Sequence, residues 1–164
     1  MLKRANTYLK LALVFAAVSS GILLLIPLRR MLSEEAMPLF SAIVAVLFWA
    51  TLAAGQYFFW AADQGRKKIQ ARSGRDLGLK GQRIGLLNVF TNPEGTAADI
   101  TFAVTFLTVV LLDLFRVRAS WLSGIATAVM LTAFHCHCIF NGVTYRYIKA
   151  FQTMKKEKRK YESN

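Results

Sequence analysis

Charged residues are absent from four long runs of this sequence, and that spacing constrains the fold more than any other feature. The runs without Asp, Glu, Lys or Arg cover residues 11–28, 36–62, 100–112 and 119–145. The hydrocarbon core of a bilayer is about 30 Å thick, and about 20 helical residues cross it. Because a backbone in lipid must satisfy its own hydrogen bonds, these runs predict membrane-spanning helices. A soluble domain, a disordered chain and a disulfide scaffold are excluded.

We predict an all-α, four-helix membrane bundle that forms a single domain over residues 1–164. Three runs reach or nearly reach this length without their flanking residues, and they predict spans at residues 8–28, 38–62 and 121–148. The run at 100–112 is too short unless its helix covers residues 93–115, with Asn92 as the cap and Pro93 at the first helical position. A cleaved signal peptide is the alternative for the first run. Apolar residues continue past any cleavage site there, which favours an uncleaved span.

The distribution of basic residues predicts the orientation. With four spans, the N-terminal segment, the connection at residues 63–92 and the C-terminal segment share one side of the membrane. They hold 17 of the 21 Lys and Arg residues, leaving Arg29, Arg30, Arg116 and Arg118 for the other side. Basic residues accumulate on the cytoplasmic side. The sequence therefore predicts a multi-pass protein of the plasma membrane with both termini in the cytoplasm.

Two segments are expected to lie at the cytoplasmic surface. In the loop at 63–92, residues 84–90 are apolar and predict an interfacial segment, or a loop that packs on the bundle. The basic tail at 149–164 is expected to continue the fourth helix. These segments either contact anionic lipid headgroups or only fix topology. The candidate lipid contacts are Arg66, Lys67, Lys68, Lys155, Lys156, Lys158, Arg159 and Lys160. Nucleic acid is not an expected partner.

Polar residues inside the predicted spans are the candidate site, because such residues are costly in lipid. Asp99 lies about as deep in the third span as Asn141 does in the fourth, so we expect Asp99 to face the fourth span. Its candidate partners there are His137, Asn141 and Tyr145. The contact would fix helix register by a hydrogen bond, or act as a proton or cation relay in which His137 or His135 shares the proton.

Two other pairs are weaker candidates. Asp113 and Arg116, three residues apart, are predicted to form an ion pair at the outer end of the third span. His135 and Cys138 share a helix face but supply only two ligands, whereas zinc sites use three or four. We expect no metal and no cofactor.

The sequence contains no nucleotide-binding, hydrolase or metalloprotease motif. The leading hypothesis is therefore a non-enzymatic accessory subunit that acts through helix packing and its basic cytoplasmic surface. Small residues at four-residue spacing permit packing within the chain, in a homo-oligomer or against a larger membrane partner. A small transporter or channel subunit that uses Asp99 is the alternative. A membrane enzyme acting on lipid or quinone is the third hypothesis.

Overall fold

The computed structural model describes residues 1–74, 92–116 and 120–162, and this part of the chain is built of helices and contains no strand. Four stretches of it are long and apolar enough to cross a membrane: Leu2–Leu28, Ala36–Ser73, Pro93–Leu114 and Trp121–Phe140. The helices are α1 (Leu2–Ile22), followed by a 3₁₀ segment (Leu23–Met31), then α2 (Ala36–Ser73), α3 (Pro93–Leu114), α4 (Ser120–Phe140) and α5 (Val143–Glu162). The prediction of an all-helical chain with four candidate spans is confirmed.

The start of α3 follows from three neighbouring residues. Pro93 occupies the first turn, and the side chain of Asn92 accepts a hydrogen bond from the N–H of Gly95 at 3.4 Å. Proline costs nothing at this position because its missing N–H has no partner there in any helix. The predicted start at Pro93 is confirmed.

The second helix is longer than predicted. α2 continues to Ser73 instead of ending near residue 62, so the prediction of a loop directly after the second span is wrong for residues 64–73. Asp63 pairs with Arg66 and Lys67, one turn further along, which supports the helix across the charged stretch. The helix ends where Gly74 adopts a left-handed conformation with φ of 61°. The predicted interfacial segment at 84–90 lies outside the described residues.

The fourth helix is interrupted where a continuous helix was expected. α4 ends at Phe140, Asn141 and Gly142 form a bend, and α5 begins at Val143. A Cβ at residue 142 would lie 3.0 Å from the carbonyl oxygen of Cys138, so the tight bend favours glycine. The predicted continuous span at 121–148 is therefore wrong in its last turns.

Small residues allow α1 and α2 to pack closely. Ala5, Ala12 and Ala16 of α1 are buried, and glycines of α2 lie opposite them. A Cβ at Gly65 would lie 2.9 Å from the Cβ of Ala5, and one at Gly55 would contact the backbone of the segment around Ala12 and Ala16. Residue numbers rise along α1 while they fall along α2 at these contacts, so the two helices are antiparallel.

The remaining helices pack around this pair. α1 also contacts α4, and α4 contacts α3, so the spans neighbour one another in the order α2, α1, α4, α3. α5 packs on the ends of α1 and α2. There, Ala5, Ile69, Tyr147 and Ile148 form a buried cluster that we call the end core. The end core brings the beginning of α1, the end of α2 and the beginning of α5 to one end of the molecule.

Replacing Gly65 with Val is expected to lower the melting temperature of the detergent-solubilised chain. The added side chain would force α1 and α2 apart at Ala5, and overpacking of this kind costs about 1–3 kcal/mol. Gly21→Val is the matched control in a helix, because a Cβ at Gly21 meets nothing within 4 Å. Equal melting temperatures for the two variants would contradict the close contact.

Candidate functional site

A dense set of polar contacts lies where α3 begins and α4 ends. Four side chains meet there, and we call them the polar cluster: Asn92, Asp99, His137 and Asn141. Asn92 is 3% exposed, and the side chains of Asp99 and His137 are 22% and 24% exposed. His137 and Asn141 are four residues apart, which places them on one face toward α3.

Asn92 bonds the ends of both helices. Its Oδ1 accepts from Gly95 at the start of α3. Its Nδ2 donates to the carbonyl oxygen of Phe140 at 3.2 Å and to Oδ1 of Asn141 at 3.0 Å. Phe140 is the last residue of α4, and the last carbonyls of a helix have no partner within it. One buried amide therefore satisfies groups at the start of α3 and at the end of α4.

Asp99 is held by two side chains of the neighbouring helix. Nδ2 of Asn141 donates to Oδ1 of Asp99 at 3.0 Å. The same oxygen lies 2.5 Å from Nδ1 of His137 and forms a hydrogen bond with it. His137 and Asp99 therefore form a direct side-chain pair across the contact between α3 and α4. Chemically, the cluster can pass a proton between these two groups, and it also fixes the register of α3 on α4.

Gly95 makes room for the cluster. A Cβ at this position would lie 2.5 Å from Oδ1 of Asn141 and closer still to Nδ2 of Asn92. Both approaches are shorter than side chains tolerate, so the hydrogen bond between the two amides requires a residue without a side chain at position 95.

Tyr145, the third candidate partner of Asp99, belongs to a different contact. Its hydroxyl bonds to Glu94, and its ring lies 5.7 Å from Nζ of Lys149. Lys149 in turn donates to both carboxylate oxygens of Glu94, at 2.6 and 2.7 Å. The pKa of Tyr145 is raised to about 12, mainly by burial and to a lesser extent by the nearby Glu94 carboxylate. The phenol is therefore protonated at neutral pH. These contacts tie α5 to the start of α3.

The structure does not bring His135 to Asp99. Nδ1 of His135 donates to the carbonyl oxygen of Leu131 at 2.7 Å. The ring lines a cavity of about 90 Å³ between α1, α2 and α4, together with Gln56 and Cys138. In residues 1–74, 92–116 and 120–162, no group of three or more His, Cys, Asp and Glu side chains is placed to hold a metal ion.

The predicted ion pair between Asp113 and Arg116 is not formed. Among the side chains that the structure describes, the paired carboxylates are those of Asp63, Glu94 and Asp99. α3 ends at Leu114, and Arg116 has a left-handed φ of 50°, so the helical spacing assumed for the pair is lost. Only the backbone joins the two residues, through the N–H of Arg116 and the carbonyl of Asp113 at 3.0 Å.

The basic residues predicted to contact lipid differ in exposure and in pairing. Arg66 is only 15% exposed and bonds Asp63 at 2.8 Å, which corrects its predicted role, and Lys67 also pairs with Asp63, at 3.1 Å. The side chains of Lys158 and Arg159 lie outside the described part of the chain. The exposed members of the set are Lys67, Lys68, Lys155, Lys156 and Lys160.

Sequence reasoning missed the contacts that hold α5 in place. Oγ1 of Thr144 donates to Oδ1 of Asp63 at 2.7 Å, in addition to the pair of Lys149 with Glu94. The dipeptide Asn141-Gly142 is a turn signal that predicts the bend before α5. In the sequence, Asp63 marks only the end of an apolar run, and nothing there indicates that it pairs with Thr144, 81 residues away.

Comparisons with known proteins give no match for this chain. It matches no protein family, no curated protein and no solved structure. The contacts of the polar cluster and of α5 are therefore the basis for a functional proposal.

Replacing Gly95 with Ala is expected to destabilise the chain by about 1–3 kcal/mol, because it breaks the buried bond between Asn92 and Asn141. Thermal unfolding in detergent measures the loss. Gly124→Ala is the control, since a Cβ there would lie at an ordinary 3.7 Å from Pro27. A Gly95→Ala variant as stable as the control would contradict a stabilising role for the bond between Asn92 and Asn141.

Proposed function

We propose that the chain is a non-enzymatic accessory subunit of the plasma membrane, with both termini in the cytoplasm and a basic cytoplasmic surface that contacts anionic lipid headgroups. The observation that carries this proposal is the end core. Its members, Ala5, Ile69, Tyr147 and Ile148, come from the three segments to which 17 of the 21 basic residues belong. Parts of all three segments therefore meet at one end of the spans.

The gathering of these segments supports the proposed orientation. Basic residues near the ends of spans are retained on the cytoplasmic side. Four spans return the chain to the side on which it started, which agrees with basic segments before the first span and after the last. We propose that the four spans act as one bundle in which α1 and α4 are central.

The way α5 is held supports a surface role. Tyr147 and Ile148 are 2% and 1% exposed, whereas Lys155 and Lys156 on the same helix are exposed. Side-chain bonds from Thr144 and Lys149 fix the helix to α2 and α3. Each basic residue near an anionic surface contributes about 1 kcal/mol of attraction. A fixed helix holds these charges together at one place.

The polar groups offer little support for an enzyme. A lipid or quinone enzyme needs polar groups that converge on a cleft, whereas those of the polar cluster bond to one another across a helix contact. The cavity of about 590 Å³ between α1, α3 and α4 is lined mainly by small and apolar residues. Its one lining carboxylate, Glu94, is already paired with Lys149.

Reporter fusions in bacterial cells test the orientation. A fluorescent protein that matures only in the cytoplasm is expected to fluoresce when fused to the C-terminus. Alkaline phosphatase, active only outside, is expected to be active when inserted at residues 32–35 and inactive at the C-terminus. The reverse pattern would place the basic surface outside and contradict the proposal.

A second candidate function is a small transporter or channel subunit. The contact of 2.5 Å between Asp99 and His137 favours it, because a carboxyl and an imidazole in direct contact inside a span are the elements of a proton relay.

Proton flux into vesicles separates the two candidates. Under the leading proposal, purified chain in vesicles with an internal pH-sensitive dye carries no more flux than protein-free vesicles, and Asp99→Asn changes nothing. Flux that Asp99→Asn abolishes, while Asp113→Asn retains it, would establish the relay and overturn the leading proposal. Melting temperatures of the three proteins serve as the folding control.

A further inference from the structure

A cavity of about 470 Å³ lies beside the end core, between the first turns of α1 and the second half of α5. Leu2, one of its lining residues, packs on the end core, as does Phe151, the neighbour of the lining residue Gln152. Its lining comes from both helices: Met1, Leu2, Lys3, Asn6, Gln152, Lys155 and Lys156.

The polar side chains that line this cavity are three lysines and two amides. Lys3, Lys155 and Lys156 supply the positive charge, and the amides of Asn6 and Gln152 can each donate a hydrogen bond. Within the described part of the chain, none of the three lysines forms an ion pair. Like charges gathered without a counter-charge repel one another, and a bound anion relieves that repulsion.

The position of the cavity indicates which anion fits. Leu2, a wall of the cavity, lies six residues before the predicted start of the first span at residue 8, which is about 9 Å along a helix. That position is beyond the apolar part of the helix, at the expected level of the lipid headgroups. The apolar wall of Leu2 and the stems of the lysines suit an amphiphile better than a free ion.

The cavity is held in shape before any ligand binds. Ala5 and Ile148 of the end core are each 1% exposed, and they hold α5 against α1 on the two helices that line the cavity. A site whose walls are already packed loses less entropy on binding than three independent surface lysines would.

We propose that this cavity binds the phosphate group of one anionic phospholipid, with Lys3, Lys155 and Lys156 as the cationic ligands and Asn6 and Gln152 as amide donors. The proposal rests on the proposed function, because it needs the basic end of the chain to lie at the headgroups. It goes further in naming a single site of defined stoichiometry in place of a diffuse basic surface.

Native mass spectrometry of the full chain in an uncharged detergent tests the site. Phosphatidylglycerol, phosphatidylcholine and inorganic phosphate are the probes. We expect one tightly held phosphatidylglycerol per chain. In the triple variant Lys3→Gln, Lys155→Gln, Lys156→Gln, its affinity is expected to fall about tenfold or more. The matched control, Lys10→Gln, Lys68→Gln, Arg72→Gln, removes the same charge outside the cavity and is expected to keep the affinity.

A second variant separates loss of the site from loss of the fold. Lys3→Arg, Lys155→Arg, Lys156→Arg keeps the charge and is expected to retain phosphatidylglycerol. Equal losses in the two glutamine variants would overturn the cavity while leaving the diffuse surface of the proposed function in place. No preference for phosphatidylglycerol over phosphatidylcholine in the unmodified chain would overturn both. Displacement of the lipid by an equal concentration of inorganic phosphate would overturn the choice of a lipid.

Discussion

The amide of Asn92 joins the end of one helix to the beginning of another, and much of the structure depends on that bond. Helix ends leave backbone groups without partners, and in or near a membrane few water molecules can supply them. Asn92 accepts from the first turn of α3 and donates to the last carbonyl of α4. Its second donor bond orients Asn141, whose own amide then points at Asp99. The cap of α3, the end of α4 and the placement of the buried carboxyl are therefore one continuous set of hydrogen bonds.

The same bend sets the direction of α5. Because α4 stops at Phe140, the chain leaves the span and turns at Gly142 before the basic helix begins. Thr144 and Lys149 then fix α5 to Asp63 and Glu94. The polar cluster and the basic surface are thus neighbours along the chain, and a shift of α3 on α4 would also move the helix that carries the lysines.

The spacing of charged residues in the sequence predicts those features of the fold that depend on the thickness and polarity of a bilayer. The four candidate spans follow from runs without charge, and the start of α3 follows from Asn92 and Pro93. Matching depth along two neighbouring spans also selected Asn141 and His137 as candidates to meet Asp99, and the structure places both against it. These features depend on hydrophobic length and helix geometry, which are local properties of the sequence.

The features that sequence reasoning missed depend on partners far away along the chain. Charged residues mark where a span leaves lipid, but α2 continues past that point because Asp63 bonds Arg66 and Lys67 within the helix and Thr144 on α5. The end of α4 depends in the same way on Asn92, 48 residues from Phe140. The prediction for Arg116 failed for a local reason. Residues three apart can pair on a helix face, but α3 ends at Leu114, before Arg116 is reached.

The end core has a consequence for how the chain assembles. Ala5 belongs to α1, whereas Tyr147 and Ile148, which cover it, are synthesised only after α1, α2, α3 and α4. While the intervening chain is being synthesised, α1 and α2 can pair through their small residues, but their ends keep an uncovered apolar patch. That patch becomes buried only when α5 packs against it. A chain that stops before residue 147 is therefore left with α1 incompletely packed.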